Sequence, residues 1–347
     1  MKLSLSLPDK NKLNKLLQIK ELNIASSNAL FEFSFSKYKP NEILTFLNLD
    51  LSNEEDLFFY EKYFKDVFQE LDKNKYINNP FAKLFEKVNI KSGPYNLTHL
   101  KVKAYQTLPY DDIEVVDSED YLERSKIGYF ISDFSYFAIT KNNVVWMSTD
   151  PNEIETMDPY INKVHGSLLV FGLGLGYFPY MSYLKENVRD ITIIENDQNV
   201  IDIFSRYIKE KLNIKIPFKI IKDDAFRYIK NNNLNKFDSI FVDIWHSPED
   251  GLPLYLRFKS LLKDYKQDTY YWLNKSLIAM FRRCLLTLLE ENLQGYTDKN
   301  YQTSENEYDE IINKLYFYLK DKSFTSYDEI HQFLSDDNLE KLINNCF

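Results

Sequence analysis

Half of the eight glycines in this 347-residue chain fall between Gly166 and Gly176. The run Leu168-Leu169-Val170-Phe171-Gly172-Leu173-Gly174-Leu175-Gly176 reads as a short buried strand, Leu168 to Phe171, that breaks into a GxGxG turn. A helix is expected to follow from Tyr177 or Phe178. Glycine at Gly172, Gly174 and Gly176 permits positive φ and removes the Cβ atoms that would hold a nucleotide-like ligand off the main chain. Tight turns of this sort also occur without any ligand, so the meaning of the run depends on what comes after it.

Strand and helix alternate after it. A second apolar strand, Ile191 to Ile194, ends in Glu195, which is about where an acid must lie to grip a ribose diol. Val200, Ile201, Phe204, Ile208 and Leu212 then recur at helical spacing. A third strand, Phe218 to Ile221, runs into Asp223-Asp224-Ala225-Phe226, and a fourth, Asp238 to Val242, ends in Asp243. Such alternation predicts an α/β fold: a Rossmann-like doubly wound parallel sheet, built by right-handed crossovers, with ligands bound at the carboxyl ends of the strands. Glu195, Asp224 and Asp243 all belong to that end. Asp224 has two readings, a ligand contact or the N-cap of a helix starting at Ala225.

A dinucleotide site would carry GxGxxG, and its third glycine is Tyr177 here. The spacing, with acids after strands two, three and four, instead resembles the class I methyltransferase family over roughly residues 164 to 250, and this gives the expected fold its class I methyltransferase-like character. The resemblance implies S-adenosylmethionine as cofactor. It implies that Gly172, Gly174 and Gly176 approach the methionine part and ribose, that Glu195 takes the ribose hydroxyls, that Asp224 contacts the adenine amino group, and that Asp243 faces the reacting end. Phe171 stands where the family usually has an acid. Within the family the chain is similar to the spermidine synthase branch, through Glu195-Asn196-Asp197, Asp223-Asp224-Ala225-Phe226 and Asp243-Ile244-Trp245-His246-Ser247-Pro248. That likeness implies decarboxylated S-adenosylmethionine as the alternative cofactor, and aminopropyl in place of methyl transfer. His246 replaces the second acid of the branch's Asp-x-x-Asp, and its Leu-Asp-Gly-x-x-Gln segment has no visible counterpart.

The segment after the fourth strand is where chemistry is expected. Transfer from a sulfonium needs the acceptor held in line and a base for its proton. Asp243 and His246 are the candidate catalytic residues, a histidine titrating at about 6.5 when unperturbed. The competing reading of His246 is structural: just before Ser247-Pro248, it would brace the start of a helix. Trp245 is expected to form a substrate-binding wall, over which a cation would gain from the ring quadrupole. The [DN]PP[YFW] run of amino-base methyltransferases is absent from this place, and a net charge of -9 argues against nucleic acid. The acids suit a small polar or cationic acceptor, such as an amine.

With 44% hydrophobic residues the chain can bury a full core. Residues 1–100 read as a mostly helical N-terminal domain, with a capping box at Ser52-Asn53-Glu54-Glu55 opening a run to Leu71 and a helix from Pro80 to Val88. Residues 101–160 read as a β-rich segment, with Ile127 to Phe137 and Ala138 to Met147 as a hairpin, followed by a helix marked by Asp150-Pro151-Asn152-Glu153. Residues 161–300 form the Rossmann-like cofactor domain, in which Tyr270 to Leu273 competes with a helical pattern for a fifth strand, and residues 301–347 a helical extension. Arg282 and Arg283 have two readings, an anchor for an acidic group or, favoured here, a structural ion pair or solvated face. Two cysteines without metal spacing and four scattered histidines predict no metal site and a reducing, cytoplasmic setting. No apolar run is long enough to cross a bilayer. The oligomeric state is not legible, and homo-oligomers are compatible with everything above. A second function class stays open: a noncatalytic protein that keeps the fold as a binding or sensing module.

Overall fold

The alternating start of the chain is only two residues of strand, β1 (Lys2–Leu3), before a helix at Leu7–Ser34 in the computed structural model, which describes residues 1–117 and 119–347. Ser6 accepts the Asp9 N–H and Pro8 sits in the first turn, a strong helix start that cuts the strand short. The aromatic run further on also ends early. Asn53, rather than Ser52, caps Glu54–Phe59, a π-turn follows at Tyr60–Phe64, and Asp66 takes a φ of 58° that stops the helix. The residues beyond form β2 (Phe68–Glu70). Tyr63 and Phe64 pack with Leu30, Phe33 and Ile127 in a small secondary core, while Phe58 is exposed.

Short helices at Lys73–Ile77 and Pro80–Leu84 precede the antiparallel region. Its strands are β3 (Ile90–Ser92), β4 (Tyr95–Val102), β5 (Thr107–Asp117), β6 (Leu122–Tyr129), β7 (Phe134–Lys141) and β8 (Val144–Ser148). They build two sheets, ordered β3-β4-β7-β8 and β2-β6-β5. The hairpin therefore lies further on than the apolar runs suggest, between β7 and β8, and it turns at Asn142 and Asn143 with φ of 53° and 67°. Paired positive φ values are what a two-residue turn needs to match strand twist, and Asn tolerates them. Turn chemistry sets the register here, not hydrophobicity.

A helix at Pro151–Ile161, capped by Asp150, leads into the central sheet. Its strands are β9 (Gly166–Phe171), β10 (Val188–Glu195), β11 (Phe218–Lys222), β12 (Ser239–Val242) and β13 (Asp268–Tyr271). All neighbours are parallel, in the order β11-β10-β9-β12-β13. This is a Rossmann-like doubly wound sheet, and its order reverses between β9 and β12, the switch point beyond which ligands of such sheets bind. Leu168 to Phe171 and all of β12 are buried, as expected of strands covered on both faces. The Phe178 ring, from the helix Tyr177–Tyr183, stacks on Phe241 of β12 with centroids 3.6 Å apart.

The competition around Tyr270 is resolved by a division: β13 takes Asp268–Tyr271, and a helix takes Asn274–Leu293. Leu273 between them has a φ of 53°, and no side chain of its own segment caps the helix. Asp112 of β5 does so instead, accepting the N–H groups of Lys275 at 3.1 Å and Ser276 at 3.2 Å and the Ser276 hydroxyl. Arg282, fully buried, donates to the Leu334 carbonyl and pairs with Asp336, while Arg283 pairs with Glu123 of β6. Both arginines thus tie this helix to its neighbours. Helices at Glu307–Leu319, Tyr327–Phe333 and Asp336–Cys346 complete the chain, capped at the first by Asn306 and at the second by Ser326. Between the first two, β14 (Ser323–Phe324) pairs in parallel with β1.

Candidate functional site

A cavity of about 610 Å³ opens beyond the carboxyl ends of β9, β10, β11 and β12. The glycine turn forms one side of it, yet its three glycines do different things. At Gly172, with φ of 97°, a Cβ would lie 1.8 Å from the Asp243 carbonyl oxygen, so this glycine lets the tips of β9 and β12 touch. At Gly176 a Cβ would strike the Phe204 ring at 2.4 Å. Gly174 alone of the three faces open space: its nearest neighbour would be Met147 Sδ at 3.9 Å. Protein packing accounts for two of the glycines, and the third leaves room for a ligand.

Glu195, at the tip of β10, accepts the N–H of Leu173 at 3.0 Å on one oxygen and that of Asp197 at 2.8 Å on the other. Each oxygen keeps a lone pair, so the side chain is held in place and can still accept from a diol. Asp224 caps the helix Ala225–Asn231 through Oδ1, which accepts the Arg227 N–H at 2.8 Å. The cap uses one oxygen, and Oδ2 has no partner among the described residues. Asp223 is held by the Arg227 guanidinium and by the Asp224 N–H.

The Asp243 carboxylate, at the tip of β12, meets no hydrogen-bond donor among the described residues. Burial, followed by the charge of Glu195, pushes it up to about 7. Glu153 lines the same cavity, and its carboxylate also has no donor among the described residues. Burial, then Asp243 and Asp150, hold Glu153 well above the usual carboxylate range. Read from sequence, Glu153 is only a marker of a helix start. The overlooked signal is topological: a helix leading into β9 runs antiparallel to it, so its first turn lies at the carboxyl ends of the strands, with the strand-tip acids.

Trp245 is buried and lines the cavity, its indole packed on Gly251, where a Cβ would come within 2.8 Å of Cγ. Its Nε1 has no partner among the described residues. His246 stands at the mouth with its side chain 77% exposed, Nδ1 lying 3.3 Å from Asp250. Asp250 also accepts the backbone N–H groups of His246 at 3.1 Å and Ser247 at 2.7 Å, in a capping box that opens the helix Pro248–Leu262. Trp272 closes the floor, donating from Nε1 to Thr156 Oγ1 at 2.8 Å. Val145, Trp146 and Met147 of β8 form the roof.

The charge of the lining is one-sided. Glu153, Glu195, Asp197, Asp223, Asp224 and Asp243 all reach the cavity, and no Lys or Arg among the described residues does. A phosphate-bearing ligand would find only repulsion from the side chains, whereas a sulfonium or an ammonium would be attracted. Among the described residues, no three His, Cys, Asp or Glu side chains converge as metal ligands would. Nor is any helix among them long and apolar enough to cross a membrane.

The fold and the cavity together define an α/β protein with a switch-point crevice at the open end of a doubly wound sheet. Among solved structures it is similar to spermidine synthase from Thermotoga maritima, at 15% identity and a TM-score of 0.32, over 43% of this chain and 55% of that one. MnmC2 from Aquifex aeolicus matches at 18% identity and 0.30, over 44% and 60%, and Mycobacterium tuberculosis shikimate dehydrogenase at 10% and 0.23, over 46% and 61%. The chain thus spans little more than half the length of these proteins, and likenesses this shallow say nothing of activity. No family model and no curated protein matches the chain.

Proposed function

We propose that the chain is a transferase that binds S-adenosylmethionine, or its decarboxylated form, and acts on a small polar or cationic acceptor. The observation that carries this reading is the cavity at the switch point, roomy at Gly174 and lined by carboxylates with no fixed cation among the described residues. When bound, the cofactor would supply an electrophilic carbon on a positively charged sulfur. Glu195 accepts from the ribose hydroxyls in this reading, and the free Oδ2 of Asp224 accepts from the adenine amino group. Trp245 walls the acceptor. Asp243, raised to about 7, is suited to take the acceptor's proton near neutral pH. His246, out at the mouth, could pass that proton to solvent. The lack, among the described lining residues, of a Lys or Arg to meet the cofactor's own carboxylate favours the decarboxylated form.

Titration calorimetry with S-adenosylmethionine, S-adenosylhomocysteine and decarboxylated S-adenosylmethionine tests the reading. Tight binding of the decarboxylated compound alone supports aminopropyl transfer, and binding of the first two supports methyl transfer. The second reading, a noncatalytic binding module, is favoured by one observation: among the described residues, no antiparallel strand pair extends the sheet past β13. Well-folded protein that binds none of the three compounds would decide for it.

A further inference from the structure

Resting on the reading above for its cofactor, we infer that the free edge of β8 docks an extended, lysine-bearing peptide, and that the acceptor nitrogen enters the cavity as the side-chain amine of that peptide. β8 ends the sheet β3-β4-β7-β8 and pairs with β7. Among the described residues, no backbone group of Val144–Ser148 is bonded outside that pair. A bare strand edge is a row of donors and acceptors ready for another chain, and proteins ordinarily guard it with charge. The other outer strands of the sheets with three or more strands follow that rule. β11 carries Lys219 and Lys222, β13 Asp268, β2 Glu70, β5 Asp111 and Glu114, and β3 Lys91. β8, Val144-Val145-Trp146-Met147-Ser148, carries no charge at all. Lys141 of β7 is turned back over its own sheet, with Nζ 4.9 Å from the centre of the Trp146 ring, which in turn stacks on Tyr95 of β4.

The cavity meets the sheet at this edge. Val145, Trp146, Met147 and Ser148 all line it, and no described residue of β3, β4 or β7 does. A cavity lying over a face of the sheet would be lined by the neighbouring strands as well. β8 passes from solvent into the cavity wall: Val144 is 69% and Val145 51% exposed, and the three residues after them are half-buried. A peptide paired at Val144 and Val145 has its main chain on the rim, from which a long side chain leads inward. Charge decides the occupant. The lining is acidic without Lys or Arg among the described residues, and the whole chain carries a net charge of -9, so a second copy brings like charge to the edge and a basic segment brings the opposite. In the transfer, the lysine ammonium loses a proton to Asp243, and the freed lone pair forms a bond to the sulfonium carbon. The carbon–sulfur bond breaks at the same time, its electron pair staying on sulfur.

Hydrogen–deuterium exchange of the full chain tests the docking, with the capped peptide acetyl-Thr-Val-Lys-Val-Thr-amide as probe. The expected result is slower exchange across Val144–Ser148 on adding the peptide, and no slowing with a version methylated at every backbone nitrogen, which has no donors to offer. No protection by the first peptide, or equal protection by the second, overturns the inference. Norleucine in place of the lysine is expected to weaken binding about tenfold by calorimetry, and equal affinity overturns the role of the amine. Val144→Lys supplies the missing guard at an exposed position outside the cavity. It is expected to weaken the lysine peptide by a similar factor while circular dichroism and cofactor heat stay native, and unchanged peptide affinity counts against the edge. Protection that grows with protein concentration in the absence of peptide identifies a second copy as the occupant and overturns the inference. Peptide protection in a protein that binds none of the three cofactor compounds leaves the docking edge standing and overturns the transferase reading alone; cofactor binding without peptide protection does the reverse.

Discussion

At the scale of single residues, the cavity concentrates its consequences at four positions. Gly174 combines a φ of 51° with open space, so Gly174→Val places a branched side chain where the ligand would lie. The left-handed backbone costs about 1–2 kcal/mol, which a fold stable by about 5–15 kcal/mol survives. The expected outcome is a protein with native circular dichroism and no detectable cofactor heat. Glu195→Ala is expected to weaken binding by about 1–3 kcal/mol through unmet hydroxyls, read by the same calorimetry. The third position has a sign that is easily reversed. Asp243 ionises at about 7 when folded, above its unfolded value, so between about pH 4 and 7 unfolding releases a proton and stability falls as pH rises. Asp243→Asn is expected to flatten that part of the melting-temperature profile, and a profile of unchanged slope would refute the assignment. His246→Ala separates its two readings: slower turnover with unchanged affinity marks a proton carrier, a lower melting temperature a structural brace. Glu195 and Asp243 were legible in the sequence because strand tips can be found from apolar runs. Glu153 was not, because it stands outside the repeating unit and joins the other acids only once the sheet orders its helices.

Elements were legible where periodicity was strong and unchallenged. The first four strands of the central sheet follow apolar runs, three of which lead into acids, and β9 and β12 are buried on both faces. Boundaries went astray where a local signal outweighed the run. The Asn142-Asn143 turn moved the hairpin, the positive φ at Asp66 ended a helix that aromatic spacing would have continued, and an Asn cap displaced Ser52. The start of the helix Asn274–Leu293 could not be found locally at all, since its capping group is Asp112, far away in sequence. Asp112→Ala removes a cap and leaves the buried Ser276 hydroxyl without its acceptor. A loss of about 2–3 kcal/mol is expected by urea denaturation, with Asp112→Asn retaining part of it.

At the scale of the whole molecule, the β-rich segment and the parallel sheet meet around the cavity. Strand β8 covers it from above, and β5 grips the helix that follows β13. Trp272, in the turn between that strand and helix, is fastened in addition to Thr156. The floor is thus riveted from two directions by groups foreign to its own stretch of chain. A chamber built in this way does not gape by swinging one half from the other, because the swing would tear out the rivets. The exposed His246 marks an open rim of the chamber, where a ligand can enter without any such swing.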